Sequence, residues 1–378
     1  QALFIGRSFL SMVPKLKELA SEVRSIIVLE TDENKKLDFE GVNYYEELLD
    51  AEKVTALKLE DVAEDDIAAL FYTSGTTGKP KGVIHTHKSL FTSANNHVIF
   101  LRMNHEDIFL HALPFFHIGG YLGLLGYTLI GATNVAIRSF DPKTILQLCE
   151  TEKLNSLVLV PTMVNMLIND RDFDQYDTGS LASLSYGGSP MPLEIFRKIN
   201  KLLPNLRFSQ GYGSTETASA IMVLTKEHHD NSLKGNESVQ KRLVSVGQPV
   251  AGVEIKIVGP DNQEVTMGET GEIVVKGPMV MKGYWNLPEE TERALRDGWY
   301  YTGDVGYKDE DHFYYIVDRA KDMIISGGEN IYSIEIEDIL YQHPKILECA
   351  VIGVPDEKWG EAVKAIVVSK KGQQISEE

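Results

Sequence analysis

Residues 72–83, YTSGTTGKPKGV, bring together the groups that hold phosphate. Seven of the twelve are Gly, Thr or Ser, and Lys79 and Lys81 sit close behind them. Glycines let backbone N–H groups approach phosphate oxygens closely, the hydroxyls of Thr73, Ser74, Thr76 and Thr77 add donors, and lysine adds positive charge. The spacing does not match GxxxxGK[ST], so a P-loop of the kinase or GTPase kind is rejected. The plain alternative is a surface loop, because Gly, Ser, Thr, Pro and Lys are common loop residues.

A loop of this kind needs firm elements on either side. Residues 67–72 predict a buried strand, and apolar residues at 90, 94, 98 and 101 predict a helix over 88–101, so the loop is expected to join a strand to a helix. From 109 to 212, β-like runs (109–113, 134–137, 157–160, 184–186, 206–210) alternate with segments of helical period such as 142–152 and 192–202. That alternation predicts βαβ units and a mostly parallel sheet. Pro192 is expected in the first turn of its helix, where its missing N–H has no intrahelical partner anyway. After Gly247 the pattern changes to hairpin-like pieces at 253–258, 272–275 and 313–317, separated by turn residues such as those of 259–262. Beyond Asp318 come strands at 323–326, 350–354 and 362–368 and a helix at 334–342. The fold class is therefore α/β: a large N-terminal portion (1–246) with mostly parallel sheets and helices, a β-rich subdomain (247–318) and a small C-terminal α+β domain (319–378).

The composition suits this reading. With 378 residues, more than one core is expected, and 43% hydrophobic with 24% charged residues is ordinary for a globular protein. The formal charge of −18 repels a polyphosphate backbone, which argues against nucleic acid as a partner. Cys149 and Cys349 lie far apart and outside any CxxC spacing, so neither a disulfide framework nor a zinc site is indicated. The most apolar run, 118–132, has 15 residues, short of the roughly 20 that a membrane span needs, and reads as a buried helix. The chain begins with Gln1 and shows no basic segment leading into an apolar one, so a cytoplasmic location is the default.

YTSGTTGKPKGV resembles the phosphate-loop signature of the adenylate-forming superfamily, which comprises acyl-CoA and aryl-CoA synthetases, luciferases and peptide-synthetase adenylation domains. Further signatures follow in that family's order. Residues 113–120 (LPFFHIGG) resemble the segment whose histidine borders the acyl pocket, and 186–190 (YGGSP) the loop against adenine. Residues 210–216 (QGYGSTE) match the YGxTE motif. Residues 301–304 (YTGD) and 318–330 (DRAKDMIISGGEN) match the ribose-binding and hinge motifs. The chain is most similar to bacterial-type fatty-acid or aryl-acid CoA ligases.

The resemblance implies the site and the reaction. Glu216 would bind Mg²⁺, Thr215 would donate to the α-phosphate, and His117 would gate the acyl pocket. ATP and AMP would meet Thr73, Ser74, Gly75, Thr76, Thr77, Gly78, Lys79, Lys81, Gly188, Ser189, Gln210, Gly211, Tyr212, Asp304 and Arg319. In that set Tyr212 would stack on adenine, Asp304 would accept from both ribose hydroxyls, and Arg319 would add a ribose or phosphate contact. Lys321 would be the hinge, and Gly327 and Gly328 would face coenzyme A. Each role makes chemical sense: Mg²⁺ prefers hard oxygen ligands, a carboxylate can accept two hydroxyl donors, and an aromatic face suits a base. Each residue also has a plain alternative, such as a helix cap for Thr215, a core ring for Tyr212, an Asx turn for Asp304 or a solvated side chain for Arg319 and Lys321. The implied reaction is ATP-dependent: a carboxylic acid attacks the α-phosphorus, pyrophosphate leaves, and the acyl-adenylate passes its acyl group to the thiol of coenzyme A. Its partners would be the acid, Mg·ATP and coenzyme A; the sequence is compatible with a homodimer.

The chain departs from the family pattern at both ends. Family members run to about 500 residues, whereas only 71 residues precede Tyr72, and no PKTxxGK-like string follows the hinge. Lys370 and Lys371 lack that context. The expectation is a shortened acid–thiol ligase with impaired adenylation; the alternative is a nucleotide- or adenylate-binding fragment without efficient turnover. No FDxS context follows the pocket histidine, which favours a plain acid over an amino acid, and Ile325 stands where luciferases carry a lysine. His117, Thr162, Met163, Gly188, Ser189, Gly211 and Gly213 are the expected pocket walls. A fatty acid is the favoured substrate and an aryl acid the alternative.

Overall fold

The computed structural model describes residues 2–29, 41–49, 61–73, 79–189, 191–319, 323–326, 329–356, 359–370 and 372–375. Contacts divide the chain into two compact units, Gln1–Val62 and Ala63–Glu378. In the first, strands Ala2–Gly6, Ser25–Leu29 and Asn43–Tyr44 make a parallel three-stranded sheet. Its small core comprises Ile5, Leu10, Val13, Ile26 and Val28.

The second unit is organised around a seven-stranded sheet. Its order is Gln248–Pro249, Ser219–Leu224, Arg207–Ser214, Ser183–Gly187, Ser156–Leu159, Ile108–His111 and Thr133–Ala136. The last five are parallel, and Ser219–Leu224 runs antiparallel to both its neighbours, which bears out the mostly parallel sheet. Helices Pro142–Thr151, Pro161–Ile168 and Leu193–Leu202 connect the strands, and Leu110, Ile145, Leu146, Leu157, Leu159, Phe196 and Phe208 are fully buried among them. Burying each such side chain contributes roughly 1.5–3 kcal/mol, which is why short apolar runs suffice as central strands. Pro192 stands one residue earlier than expected, at the N-cap of its helix. The apolar run 118–132 is helical over Ile118–Leu129. It ends there because Gly131 turns left-handed (φ +73°) and the Gly131 and Ala132 amides bond back to Thr128 and Tyr127. No helix among the described residues is long and apolar enough to cross a membrane.

Thr133–Ala136 lies on one side of Ile108–His111 and Ser156–Leu159 on the other. The chain thus reverses its direction of winding there, and the carboxyl ends of open parallel sheets are where ligands bind. His117, Thr162, Ser189 and Glu216 all follow such carboxyl ends.

The phosphate loop is set differently from expectation. It connects strand Ile67–Thr73 to a second strand, Lys81–Thr86, in an antiparallel pair, and the helix begins only at His87. Val83 and Ile84 are β-branched, and the backbone of 82–84 pairs with Gly283–Tyr284, so the strand is held on both sides. The helix is started by Thr86, which shares a reciprocal capping box with Ser89. Ile67–Thr73 is the edge of this three-stranded sheet, and only Phe71 in it is buried, against the expectation of a buried strand.

Strands Glu254–Val258, Gly271–Lys276, Trp299–Lys308, Leu295–Arg296 and Tyr314–Arg319 form the antiparallel β-rich sheet. The last element group is a sheet in the order Glu329–Ile331, Ile324–Ser326, Gly360–Ser369, Ile346–Asp356, packed with helix Ser333–Tyr341. Buried Asp318 accepts from the backbone N–H and the hydroxyl of Ser333, at 2.8 and 3.1 Å, and so ties the β-rich sheet to that helix.

Candidate active site

The strand Arg207–Ser214 and the turn after it carry the QGYGSTE signature. Gly213 is required by crowding: a Cβ there would lie 1.8 Å from the Ser219 carbonyl oxygen, where the hairpin with Ser219–Leu224 bulges. Thr215–Thr217 form a single 3-10 turn, and Ala218 and Ser219 then adopt left-handed φ of 50° and 80°. Two such non-glycine residues in succession store strain, roughly 1–3 kcal/mol each, and strain of this kind gathers at functional sites. His85, fully buried, donates through Nε2 to the Thr215 carbonyl at 2.7 Å, while its Nδ1 meets the Ser89 hydroxyl at 3.1 Å. Burial keeps its pKa below the ordinary histidine value, against the opposing pull of the Thr215 carbonyl and Glu216.

Glu216 is bonded by Tyr284, whose hydroxyl donates to Oε1 at 2.9 Å. Burial, then the Glu216 charge, push the Tyr284 phenol far up, so it remains a donor at neutral pH. Lys81 lies 5.0 Å from the centre of the Tyr284 ring, and its Nζ meets Glu290 Oε2 at 2.6 Å. The hydrogen bond and charge of Lys81 hold the Glu290 carboxyl below its ordinary range. Arg293 takes the other Glu290 oxygen at 3.0 Å. Among the described residues there is no cluster of three or more metal-ligating side chains. A single carboxylate suits Mg²⁺, which takes one or two protein oxygens and fills its octahedron with phosphate and water.

A second group forms around Asp304. Its backbone stands opposite Arg319 in the β-rich sheet, and Arg319 Nε lies 3.4 Å from Oδ1. The Tyr212 hydroxyl donates to Oδ2 at 2.5 Å. Burial, then the Asp304 charge, raise the Tyr212 pKa well above the ordinary tyrosine value. An ionised carboxylate offers about four acceptor positions, which suits it to hydroxyl donors. Tyr300 is buried between the groups, its pKa raised first by burial and then by Glu216, Tyr284 and Asp304.

The remaining expected residues are spread more widely. Gly188 (φ +82°) and Ser189 are exposed after strand Ser183–Gly187, beside Gly211 of the neighbouring strand. Gln210 is buried in the sheet against Tyr186. His117 is exposed and caps helix Ile118–Leu129 by accepting from the Gly119 amide at 3.2 Å. Thr73 pairs with Lys81 across the hairpin, and Lys79 is exposed. Ser74, Gly75, Thr76, Thr77, Gly78, Lys321, Gly327 and Gly328 lie outside the described residues. A cavity of about 210 Å³ separates Pro161, Thr162 and Ser189 from Ile334, Tyr341 and Cys349 of the C-terminal portion. Of the expected pocket walls, Thr162 and Ser189 line it. Sequence reasoning missed His85, Tyr284, Glu290 and Tyr300; in the sequence, nothing but closeness to the signatures marks them.

The AMP-binding enzyme family matches residues 2–285, and its C-terminal domain matches 335–378. The chain belongs to the AMP-binding enzyme family. Within that family it is 42% identical over 316 residues to a feruloyl-CoA synthase of Amycolatopsis, covering 83% of this chain and 62% of that protein. It is 39% identical over 310 residues to a medium/long-chain-fatty-acid–CoA ligase of Mycobacterium tuberculosis, covering 82% and 52%. The chain therefore spans less than two thirds of the length of these two relatives. Among solved structures, o-succinylbenzoate coenzyme A synthetase of Bacillus subtilis in complex with ATP and magnesium superimposes with a TM-score of 0.78 at 33% identity, over 97% of this chain and 73% of that one.

Proposed function

We propose that these residues serve an AMP-forming acid–thiol ligase. Its acid would attack the α-phosphorus of ATP with loss of pyrophosphate, and the acyl-adenylate would then acylate coenzyme A. The observation that carries this reading is that both groups meet the carboxyl end of one strand: Tyr212, which bonds Asp304 of the β-rich sheet, and Thr215 and Glu216, in the turn that follows, lie within four residues of each other at the end of Arg207–Ser214. Asp304, braced by Tyr212 and Arg319, would take the ribose hydroxyls, and Thr215 the α-phosphate. Glu216 would hold Mg²⁺, an ion that supplies charge neutralisation to the leaving pyrophosphate when bound. Lys81 would exchange Glu290 for a phosphate oxygen. The carboxylate nucleophile needs no general base, since its unperturbed pKa is near 4. Positioning and electrostatics would dominate the catalysis.

The favoured acid is a fatty acid, in keeping with the mycobacterial relative. An aryl acid is the second reading, favoured by the higher identity to the feruloyl-CoA synthase. We also propose the 246/247 and 318/319 domain boundaries; the first lies ahead of Gln248–Pro249, the edge strand of the seven-stranded sheet, with the β-rich sheet starting at Glu254, and the second falls one residue before the end of strand Tyr314–Arg319. Acid-dependent ATP–pyrophosphate exchange with octanoate, palmitate and ferulate tests the reading. The 378 residues hold no PKTxxGK-like string, so slow but acid-dependent exchange is expected. Exchange that no acid stimulates overturns the ligase assignment, and a ferulate preference overturns the fatty-acid choice.

A further inference from the structure

The strained turn after strand Arg207–Ser214 is held by donors from elsewhere in the chain. His85 donates to the Thr215 carbonyl at 2.7 Å, the Met281 amide to the Glu216 carbonyl at 2.7 Å, and the Ser93 hydroxyl to the Ala218 carbonyl at 2.5 Å. Thr217 closes the set from within, its hydroxyl lying 2.9 Å from the Ser219 carbonyl. His85 and Ser93 are fully buried. They share one support: Ser89, four residues before Ser93 on helix His87–Phe100, meets His85 Nδ1, and that helix is fixed at its start by the Thr86 capping box. The Thr215 carbonyl also takes the Ala218 amide at 3.2 Å, so removing His85 strips one of its two donors, and removing Ser93 strips the side-chain donor from the carbonyl of buried Ala218; either loss frees a backbone that is already strained.

We propose that His85 and Ser93 are positioning residues, whose two side-chain donors hold the Thr215–Ser219 turn in the geometry that aims the Thr215 hydroxyl and the Glu216 carboxylate at the nucleotide. This rests on the proposed roles of Thr215 and Glu216. It gives the strand Lys81–Thr86 a double duty, since the strand that ends the phosphate loop also carries the imidazole that sets the metal-side turn.

The variants are His85→Leu, which removes the donor at similar bulk, His85→Gln, which keeps an N–H donor, and Ser93→Ala, which deletes one oxygen. Two measurements are made on the full chain: amide hydrogen exchange of peptides spanning 213–222, with 271–276 as reference, and calorimetric affinity for a nonhydrolysable ATP analogue with Mg²⁺ and with EDTA. His85→Leu and Ser93→Ala are expected to speed exchange in 213–222 by about tenfold or more and leave 271–276 unchanged. Both should lower affinity in Mg²⁺ by about tenfold and in EDTA by far less, with His85→Gln recovering most of both losses. The Ser93→Ala arm decides the matter even where His85→Leu does not fold. Unchanged exchange in 213–222 overturns the proposal, as does faster exchange with unchanged affinity in Mg²⁺. A wild-type chain that binds no nucleotide overturns the positioning role together with the assigned function, whereas normal wild-type binding with insensitive variants overturns the positioning role alone.

Discussion

The Asp304 group and the Glu216 group serve one strand end but are built by opposite means. Asp304 faces Arg319 because antiparallel pairing places them across from each other, and Tyr212 completes the group from the seven-stranded sheet. Glu216 stands on a strained turn with two left-handed residues after it, and donors from the phosphate-loop strand, its helix and Met281 hold that turn. Register is sufficient for one group, whereas the other depends on buried polar contacts. The Asp304 group, the proposed ribose side, is therefore expected to tolerate changes around it, and the Glu216 group, the proposed metal side, to fail when remote residues change.

The largest expected effect is on the ribose side, from its central carboxylate. Asp304→Ala should weaken nucleotide binding by about 100-fold or more, the net value of two hydrogen bonds to a charged group at about 1.5 kcal/mol or more each. The loss should shrink when 2′-deoxy-ATP replaces ATP, because one of the two donors is then already missing; an equal loss for both nucleotides would detach Asp304 from the ribose.

Next comes a test of helix Lys226–Lys234, which packs against strand Arg207–Ser214. His229 is fully buried; its Nδ1 donates to the Thr225 carbonyl at 2.9 Å, and its Nε2 accepts from Tyr186 at 3.0 Å. Burial, outweighing the Thr225 carbonyl, lowers its pKa to about 4. The unfolded chain takes up this proton below about pH 6.5 and the folded chain only near 4, so stability is full above 6.5 and falls as pH drops from 6.5 to 4. In denaturant titrations across that window, wild type should lose up to ~3 kcal/mol more stability than His229→Gln. Parallel curves would remove His229 as the source.

On the metal side, Glu216→Gln should abolish the Mg²⁺-dependent gain in ATP affinity, about tenfold, while binding in EDTA persists. Loss of affinity in both conditions would assign Glu216 a structural role instead. Smallest of the set is Arg319→Ala. Its side chain is 61% exposed, so its ion pair with Asp304 should contribute well under 1 kcal/mol and change affinity by about threefold at most, less at high salt. A tenfold effect would mean that the guanidinium touches the nucleotide directly.

The alternation of apolar runs with helical periods from 109 to 212 was legible because burial selects Leu, Ile and Val in central strands, and the strands Ile108–His111, Ser156–Leu159 and Ser183–Gly187 fall within a residue or two of expectation. The hairpin after the phosphate loop was not legible. Lys81-Gly82 looks like loop chemistry, and the partner that makes 82–84 a strand, Gly283–Tyr284, lies some two hundred residues away. Separation in sequence hid His85 as well. A histidine followed by threonine and histidine carries no local sign that its ring reaches a carbonyl 130 residues on. Tyr212 was legible by motif, but its hydroxyl bond to Asp304 depends on how two sheets meet. His117 shows the converse case, where a residue singled out by its motif also has a structural use as the cap of helix Ile118–Leu129.

We propose that this site is shaped for an acyl-adenylate rather than for ATP alone. Calorimetric titration of the chain in Mg²⁺ with a nonhydrolysable fatty acyl-adenylate and with ATP measures it directly. The adenylate is predicted to bind at least about 100-fold more tightly, because acid and nucleotide contacts are joined in one molecule. Equal affinities, or binding of ATP without binding of the adenylate, would contradict the claim.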